Sequence, residues 1–298
     1  MPGLLESVPN FSEGRDGAVL DAIRRAIAQH ARVLDVHADA DHNRSVFTCV
    51  GPAAGLVEGL AAAIAVAAER IDLGRHEGVH PRVGAADVVP FVRFEAGDGQ
   101  PEHAARMLGE RVGALGIPVL GYGDLGGGRR PAFFRAGGPE ALAARLEAGE
   151  VEPLYGPAQL HPTAGAVLLG VRAPLVAFNV ELDTGDVEIA RAVAAGVRAR
   201  DGGLPGVQAL GLRLARTGRA QVSMNLIDVS ATPLHRVVHE VERLAAEHGA
   251  GVACGELVGL MPASVAVPAA AAAFHLAELA PDRVLEIAAG GEFGRRDR

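Results

Sequence analysis

The chain has 298 residues, of which 49% are apolar and 21% charged, so it is long enough for two domains and too apolar to be disordered. Its 28 basic and 36 acidic residues give a net charge of −8, which disfavours binding of nucleic acid through the overall field. Every basic residue is Arg, and the absence of Lys excludes a Schiff-base lysine and a Walker A lysine.

The N-terminal half is predicted to mix helices and strands. Val19, Ile23 and Ile27 form one helical stripe, and a second runs from Leu56 to Ile71. Strands are predicted near 4–9, 33–38, 45–50, 87–94 and 117–121, and further helices near 101–115 and 138–148. The order of these strands in a sheet does not follow from the sequence.

The C-terminal half has a more regular pattern. Strand alternation over 175–182 is followed by a helix that Asp186 opens, two strands at 207–214 and 219–227, a helix after Thr232 and Pro233, and a strand near 252–258. This β-α-β-β-α-β order predicts a ferredoxin-like unit. An alanine-rich helix over about 263–279 follows it.

Composition also suggests the compartment. Cys49 and Cys254 form no metal or redox motif, which fits a reducing cytosol. The N-terminus has no signal-peptide pattern, and no apolar run is long enough for a membrane span. We therefore expect a cytoplasmic protein that binds neither a membrane nor nucleic acid.

Two patterns suggest a metal, and both are weak. HEGVH at 76–80 matches the zinc-peptidase pattern, but Gly78 and the proline at 81 disfavour the helix that would place His76 and His80 on one face. HADADH at 37–42 offers His37, Asp39, Asp41 and His42, although a solvated acidic turn between two strands explains it better. We expect no bound metal.

GYGDLG at 121–126 matches a dinucleotide-binding pattern, yet no helix is predicted to follow it.

The remaining candidates are polar residues beside glycines at predicted strand ends: Asn10, Asn43, Arg44, His80 and Arg82. Active sites are commonly built at such positions. A histidine there is a natural acid or base at neutral pH.

These segments resemble one family, the glutamate formimidoyltransferases. The resemblance rests on VPNFSEGR at 8–15, DHNRSVFTCVGP at 41–52, RHEGVHPRVGAADVVPF at 75–91, LHPTAGAVLLGVRAPLVAFNVEL at 160–182, VQALGLRLARTGRAQVSMNLIDVSATPLH at 207–235 and ELVGLMPASV at 256–265. It covers about residues 4–280 and implies the stand-alone form without a cyclodeaminase domain.

The resemblance implies an α/β protein with two subdomains, 1–178 and 179–298, and a ligand cleft between them. The implied reaction moves the formimino group from N-formimino-L-glutamate to N5 of tetrahydrofolate, which acts as co-substrate in histidine degradation. A homodimer is also implied.

The family's motifs place the site residues. His80 stands at the position of the catalytic general acid and base. The folate-binding loop corresponds to Gly165, Ala166, Val167, Leu168, Leu169, Gly170, Val171, Arg172, Ala173 and Pro174. Because the substrates carry carboxylates and the chain has no Lys, Arg44 and Arg82 are the predicted anion partners, with Asn10 and Asn43 as further substrate-binding residues.

The chain departs from the family at His37, where members often carry Asp. If that Asp orients the catalytic histidine, then Asp35, Asp39 or Asp41 takes its place, or the proton relay differs.

Two alternatives to the transferase function remain open. One is a metal-dependent hydrolase that uses His76, His80 and the 37–42 cluster, and the other is a folate-binding paralogue without turnover.

Overall fold

A computed structural model of the protein describes residues 4–93 and 100–288. The backbone forms two compact units, of which the first ends at Pro174 and the second begins at Leu175. The sequence-based boundary after residue 178 falls within a strand, Val176–Leu182, that belongs to the second unit.

The first unit mixes helices and strands, as the sequence predicts. Its elements in chain order are β1 (Leu4–Ser7), β2 (Asn10–Phe11), α1 (Gly17–Ala28), β3 (Arg32–Asp39), β4 (Arg44–Pro52), α2 (Ala53–Arg70), β5 (Ala86–Val92), α3 (Pro101–Ala114), β6 (Val119–Gly123), α4 (Pro131–Arg135), α5 (Gly138–Glu147) and β7 (Val167–Arg172). The predicted strand 4–9 is divided into β1 and β2, and residue 94 of the predicted strand 87–94 lies outside the described residues.

These strands form one seven-stranded sheet. The order is β1-β4-β2-β5-β7-β6, with β3 on the outer side of β4 and β1 also pairing with β5. Since β1 and β2 both pair with β4 and β5, they are two parts of one N-terminal strand between these neighbours. The strands β5, β7 and β6 are parallel, and the other pairs are antiparallel.

The core of the first unit confirms both predicted helical stripes. Val19, Ile23 and Ile27 of α1 are at most 7% exposed, and so are the stripe residues of α2. Asp16 caps α1, because its side chain accepts hydrogen bonds from the first backbone amides of the helix. Burial of each large aliphatic side chain favours folding by about 1.5–3 kcal/mol, so these stripes hold α1 and α2 on the sheet.

The second unit has the predicted ferredoxin-like order. Its elements are β8 (Val176–Leu182), α6 (Val187–Val197), β9 (Val207–Arg213), β10 (Ala220–Leu226), α7 (Leu234–Glu247), β11 (Val252–Val258), α8 (Ala263–Ala273) and α9 (Leu285–Ala288). The four strands form an antiparallel sheet in the order β11-β8-β10-β9. Asp186 caps α6 as predicted, with its carboxylate accepting from the amide of Glu188 at 2.9 Å.

Two helix boundaries in the second unit differ from the prediction. Thr232 does not cap α7, because its hydroxyl donates to the carbonyl of Pro205 at 2.8 Å and the helix begins only at Leu234. The alanine-rich helix ends at Ala273 rather than near 279. His275 adopts a φ of +55°, and an α-helix cannot continue through a residue in that conformation. The C-terminal tail from residue 289 lies outside the described residues.

Within residues 4–93 and 100–288, no helix is both long enough and apolar enough to cross a membrane.

Candidate active site

Loops from different parts of the first unit are joined by hydrogen bonds beside the start of β5. Ser12, just after β2, donates from Oγ to the carbonyl of Gly84 at 2.7 Å. The amide of Ala166, just before β7, donates to the carbonyl of Val83 at 2.9 Å. The loop 76–85 therefore lies between the loop after β2 and the segment that leads into β7.

His80 lies part-buried in this loop. Arg44 Nη1 lies 2.9 Å from His80 Nε2, and because a guanidinium only donates, Nε2 accepts and the ring proton is on Nδ1. Nδ1 is buried and has no hydrogen-bond partner among the residues that the structure describes. Burial, followed by the charges of Arg44 and Arg135, holds the pKa of His80 well below its usual range. The imidazole is therefore neutral at neutral pH.

Asn43 links the turn between β3 and β4 to the loop 76–85 through a side-chain hydrogen bond. It adopts a φ of +45°, in the left-handed region that Asn tolerates better than most residues. Its Nδ2 donates to the carbonyl of Glu77 at 2.8 Å, and its Oδ1 accepts from the amide of Gly14 at 3.0 Å. A Cβ at Gly78 would lie 2.4 Å from the carbonyl oxygen of His42, so only glycine permits this approach. Asn43 is thus a positioning residue, and its predicted contact with substrate stays a prediction.

Arg82 is held by the backbone and by His76. Its Nη2 donates to the carbonyl of His80 at 2.6 Å and to that of His42 at 3.2 Å, while Nη1 contacts the ring of His76. His76 Nε2 lies 3.1 Å from the carbonyl of Asn43. Burial, and then the charge of Arg82, lowers the pKa of His76. The guanidinium of Arg82 therefore shapes the loop.

Arg44 is the first residue of β4, and one of its N–H groups has no acceptor among the described residues. Burial and the charges of Arg135 and Arg82 lower its pKa to about 10, which still leaves the guanidinium protonated at neutral pH. Its Nε is buried and lacks an acceptor within the described residues. A buried N–H without an acceptor is costly, so this atom is suited to an anionic ligand.

A buried ion pair near these residues was missed by sequence analysis. Asp87 of β5 is 1% exposed; its Oδ1 accepts from the amide of Val83 at 2.7 Å, and its Oδ2 accepts from Arg135 Nη2. Arg135 ends the short helix α4, and its Nε is also buried without a partner in the described chain. One signal was present, because Asp87 interrupts an otherwise apolar strand. No signal identified Arg135, since a helix of five residues is too short to show periodicity.

The segment predicted as a folate-binding loop is mostly a strand. Val167–Arg172 form β7, which lies between β5 and β6, so the prediction of a loop is wrong for these six residues. A run of aliphatic residues is typical of a parallel strand that is buried on both faces. At most 2% of each side chain is exposed for Val167, Leu168, Leu169 and Val171. These side chains form core, and the contact of this segment with folate stays a prediction.

The two ends of the segment have different surroundings. At its start, Gly165 has a φ of +66°, and a Cβ there would lie 2.1 Å from the carbonyl oxygen of Val83. At its end, Arg172 Nη1 donates to the carbonyl of Ala173 at 3.0 Å. Burial raises the pKa of Tyr122, and the nearby charge of Arg172 opposes this shift. The segment thus runs from the loop of His80 to a second polar group at the C-terminal end of the parallel strands.

The remaining candidates lie on neighbouring strands. Asn10 is in β2, 9% exposed, and pairs with residues of β4 and β5. Asp39 ends β3; its Oδ1 accepts from the amides of Asp41 and His42 at 2.8 Å each, and its Oδ2 lies 3.3 Å from His42 Nδ1. The ring centroids of His42 and His80 are 6.0 Å apart. Asp39 therefore organises the turn next to the catalytic candidate.

The HEGVH segment is a loop after a short 3-10 turn, which confirms the expectation that it is not a helix. No group of three or more His, Cys, Asp and Glu side chains is arranged to hold a metal ion in residues 4–93 and 100–288.

Two family models match the chain. Residues 4–172 match the N-terminal subdomain of the formiminotransferase domain, and residues 177–281 match the formiminotransferase domain model that follows it. The chain belongs to the formiminotransferase family.

Relatives in this family align along most of the chain. The glutamate formimidoyltransferase of Streptococcus pyogenes serotype M1 is 37% identical over 279 residues, which cover 91% of this chain and 93% of the relative. That of Thermoplasma acidophilum is 40% identical over 274 residues, or 87% of this chain and 88% of the relative. The formimidoyltransferase-cyclodeaminase of Sus scrofa is 41% identical over 286 residues, which cover 91% of this chain and 52% of that longer protein.

In this formiminotransferase chain, the whole polar group around His80 falls within the N-terminal subdomain match. Arg172 is the last residue of that match, and Ala173 and Pro174 lie between the two matched regions.

Proposed function

We propose that this chain is a glutamate formimidoyltransferase that transfers the formimino group of N-formimino-L-glutamate to N5 of tetrahydrofolate. The observation that carries the proposal is the pair of relatives of that name, which align with this chain over about nine-tenths of their length. The neutral, part-buried imidazole of His80 among arginines supports it, because the reaction needs a proton carrier beside anionic substrates.

The reaction requires two proton movements. N5 bonds to the formimino carbon and loses a proton, and a tetrahedral intermediate forms. The bond between that carbon and the glutamate nitrogen then breaks, and the amine gains a proton as it leaves. His80 accepts the first proton and donates the second. Its Nε2 lone pair accepts from Arg44 in the structure, so Arg44 has to move before Nε2 takes up a proton.

The substrate carboxylates need cationic partners. Arg44 offers an unused buried Nε–H, whereas Arg82 and Asn43 have most of their donors committed to neighbouring loops. We infer that Arg44 contacts substrate directly, and that Arg82 and Asn43 act mainly by holding the loop in place. Asn10 lies one strand away and is proposed as a further substrate-binding residue.

Folate is assigned to the segment from Gly165 to Pro174. Six residues of extended β7 span about 20 Å at 3.3 Å per residue, and folate is itself an elongated molecule. The guanidinium of Arg172 is the group that we propose for binding. The protein is further proposed to be a cytoplasmic homodimer that uses tetrahydrofolate as co-substrate and needs no metal.

The metal-dependent hydrolase is less well supported by the geometry. Arg82 contacts the ring of His76, and Arg44 contacts the ring of His80. Two guanidinium groups against the two supposed ligands oppose the binding of a cation.

The deciding experiment incubates the purified chain with tetrahydrofolate and N-formimino-L-glutamate and measures 5-formiminotetrahydrofolate and glutamate. We expect equal amounts of both products, with and without a chelator. Folate binding without turnover would instead support the non-catalytic paralogue. Release of glutamate without 5-formiminotetrahydrofolate, lost on chelation and restored by zinc, would support the metal-dependent hydrolase.

A further inference from the structure

Three buried nitrogen atoms in the first unit lack hydrogen-bond partners in the described part of the chain and belong to one electrostatic group. They are Arg44 Nε, His80 Nδ1 and Arg135 Nε. Arg44 contacts His80 directly, and the charge of Arg135 acts on both. Because buried N–H groups almost always find acceptors, these three donors indicate an acceptor that the chain does not supply.

The charges around this group favour an anion. Arg44, Arg82 and Arg135 are three permanent cations, and Asp87 is the carboxylate bonded to one of them. The carboxylate of Asp39 also acts on Arg44, and it contacts His42. Positive charge therefore exceeds negative charge, and a bound carboxylate would reduce both the excess charge and the number of unpaired donors.

Arg82 is the least suited of the three arginines to hold a ligand, since its guanidinium is bonded to two carbonyls and to His76. Arg135 differs, because its Nη2 contacts Asp87 while its Nε stays unused. Asp87 is itself fixed by the amide of Val83. The ion pair therefore holds Arg135 in place and leaves its Nε–H unpaired.

We propose that Arg135, mounted on Asp87, binds a carboxylate of the formimino donor together with Arg44. The assignment rests on the proposed function for the identity of the donor, and it adds a specificity-determining residue to that site. Since Nη1 of the same guanidinium contacts His80, a carboxylate that pairs with Arg44 at Nε and draws the guanidinium toward itself frees Nε2 of His80 as a base. Binding of the donor's carboxylate and activation of His80 as the base then occur in the same step.

The test separates ligand binding from a structural ion pair. Removal of Arg135 alone leaves Asp87 buried and unpaired, which itself destabilises the fold. The double variant Asp87→Asn/Arg135→Gln replaces the ion pair with an amide pair and keeps an oxygen for the amide of Val83. Arg111→Gln is the matched control, since Arg111 forms an exposed ion pair with Glu58. Each protein is titrated with L-glutamate by calorimetry, and KM for each substrate is measured.

We expect the double variant to melt near the wild-type temperature, to bind L-glutamate about 10- to 100-fold more weakly, and to raise KM for N-formimino-L-glutamate by a similar factor. KM for tetrahydrofolate and all constants of Arg111→Gln should stay unchanged. If the double variant binds L-glutamate and uses the donor as the wild type does, Arg135 is only a structural partner and the inference fails. A wild type that binds L-glutamate but has no turnover would overturn the proposed function alone, and one that does not bind L-glutamate would overturn the inference.

Discussion

His80 and His76 lie four residues apart, yet the structure gives them different surroundings. Nδ1 of His80 is buried and has no hydrogen-bond partner among the described residues, whereas the ring of His76 bridges Arg82 and the carbonyl of Asn43. His80→Ala should lower kcat by about 10²–10⁴-fold, because the reaction loses its proton carrier, with folate binding largely kept. His76→Ala should be much milder.

Steady-state kinetics and equilibrium binding of tetrahydrofolate measure both effects. Since two metal ligands would be equally necessary, the hydrolase predicts equal losses at the two positions. Equal losses, or a fully active His80→Ala variant, would contradict the proposed role of His80.

The lowered pKa of His80 predicts an unusual pH profile. In the proposed mechanism the neutral imidazole accepts the first proton, and burial together with Arg44 and Arg135 keeps it neutral below pH 6.5 in the free enzyme. The value of kcat/KM should therefore stay level as pH falls through 6.5 and should decline only at lower pH. In the complex, a substrate carboxylate offsets the arginine charges and should raise the pKa of His80.

The decline of kcat at low pH, its acid limb, should consequently lie at higher pH than the acid limb of kcat/KM. Parallel profiles of both constants between pH 4.5 and 8.5 measure the difference. In Arg44→Gln the loss of a nearby positive charge should move the kcat/KM limb upward, whereas Arg111→Gln should leave it in place. An acid limb of kcat/KM near 6.5 in the wild type would show that His80 does not have the assigned environment.

At the scale of elements, the approach of the β3–β4 turn to the loop 76–85 depends on Gly78. A Cβ at this position would meet the carbonyl of His42 at 2.4 Å, so one of the two backbones has to move. We expect Gly78→Ala to lower the free energy of unfolding by about 1–3 kcal/mol and to lower kcat, because the displaced loop carries His80.

Gly17→Ala is the control for this substitution. Gly17 begins α1, and a Cβ there would have no atom within 4 Å. Chemical denaturation and turnover should both be near wild type for this control. If Gly78→Ala keeps full stability and activity, the close approach of the two loops is not needed for the site.

How far the sequence predicts an element depends on whether its signal is local. The stripes of α1 and α2 and the alternation of β8 and β10 are local, and these elements are predicted well. Strand β7 has an aliphatic run without alternation, and the family resemblance assigned the same residues to a loop. Its place between β5 and β6 depends on pairing with residues distant in the chain.

The site follows the same rule. His80, Asn43 and Arg44 lie in short motifs that the sequence displays, and the structure brings them together. Asp87 and Arg135 are 48 residues apart, and only the fold reveals their contact. The predicted ligand cleft between the two subdomains stays a prediction, as do the homodimer and the absence of metal.

At the scale of the whole molecule, the charge of the protein and that of its site have opposite signs. The chain carries a net charge of −8, yet Arg44, Arg82 and Arg135 make the surroundings of His80 positive. The net charge is distributed over the whole molecule, and at about 0.15 M salt the screening length of about 8 Å already suppresses most of its effect on an approaching anion. The arginines act over shorter distances, so salt weakens their attraction gradually and most strongly near 1 M, where that length is about 3 Å.

KM for N-formimino-L-glutamate should therefore change little between about 0.02 and 0.15 M salt, where weaker repulsion by the molecule and weaker attraction by the site oppose each other. Above 0.15 M it should rise several-fold as the attraction of the arginines is screened. The measurement uses sodium chloride and, at matched ionic strength, sodium sulfate, because a divalent anion that occupies the site raises KM further whereas pure screening does not. Arg44→Gln should reduce the dependence at high salt, and Arg111→Gln should keep it. A KM that falls steadily up to 1 M would mean that the net charge of the molecule, rather than the arginine group, governs binding of the donor.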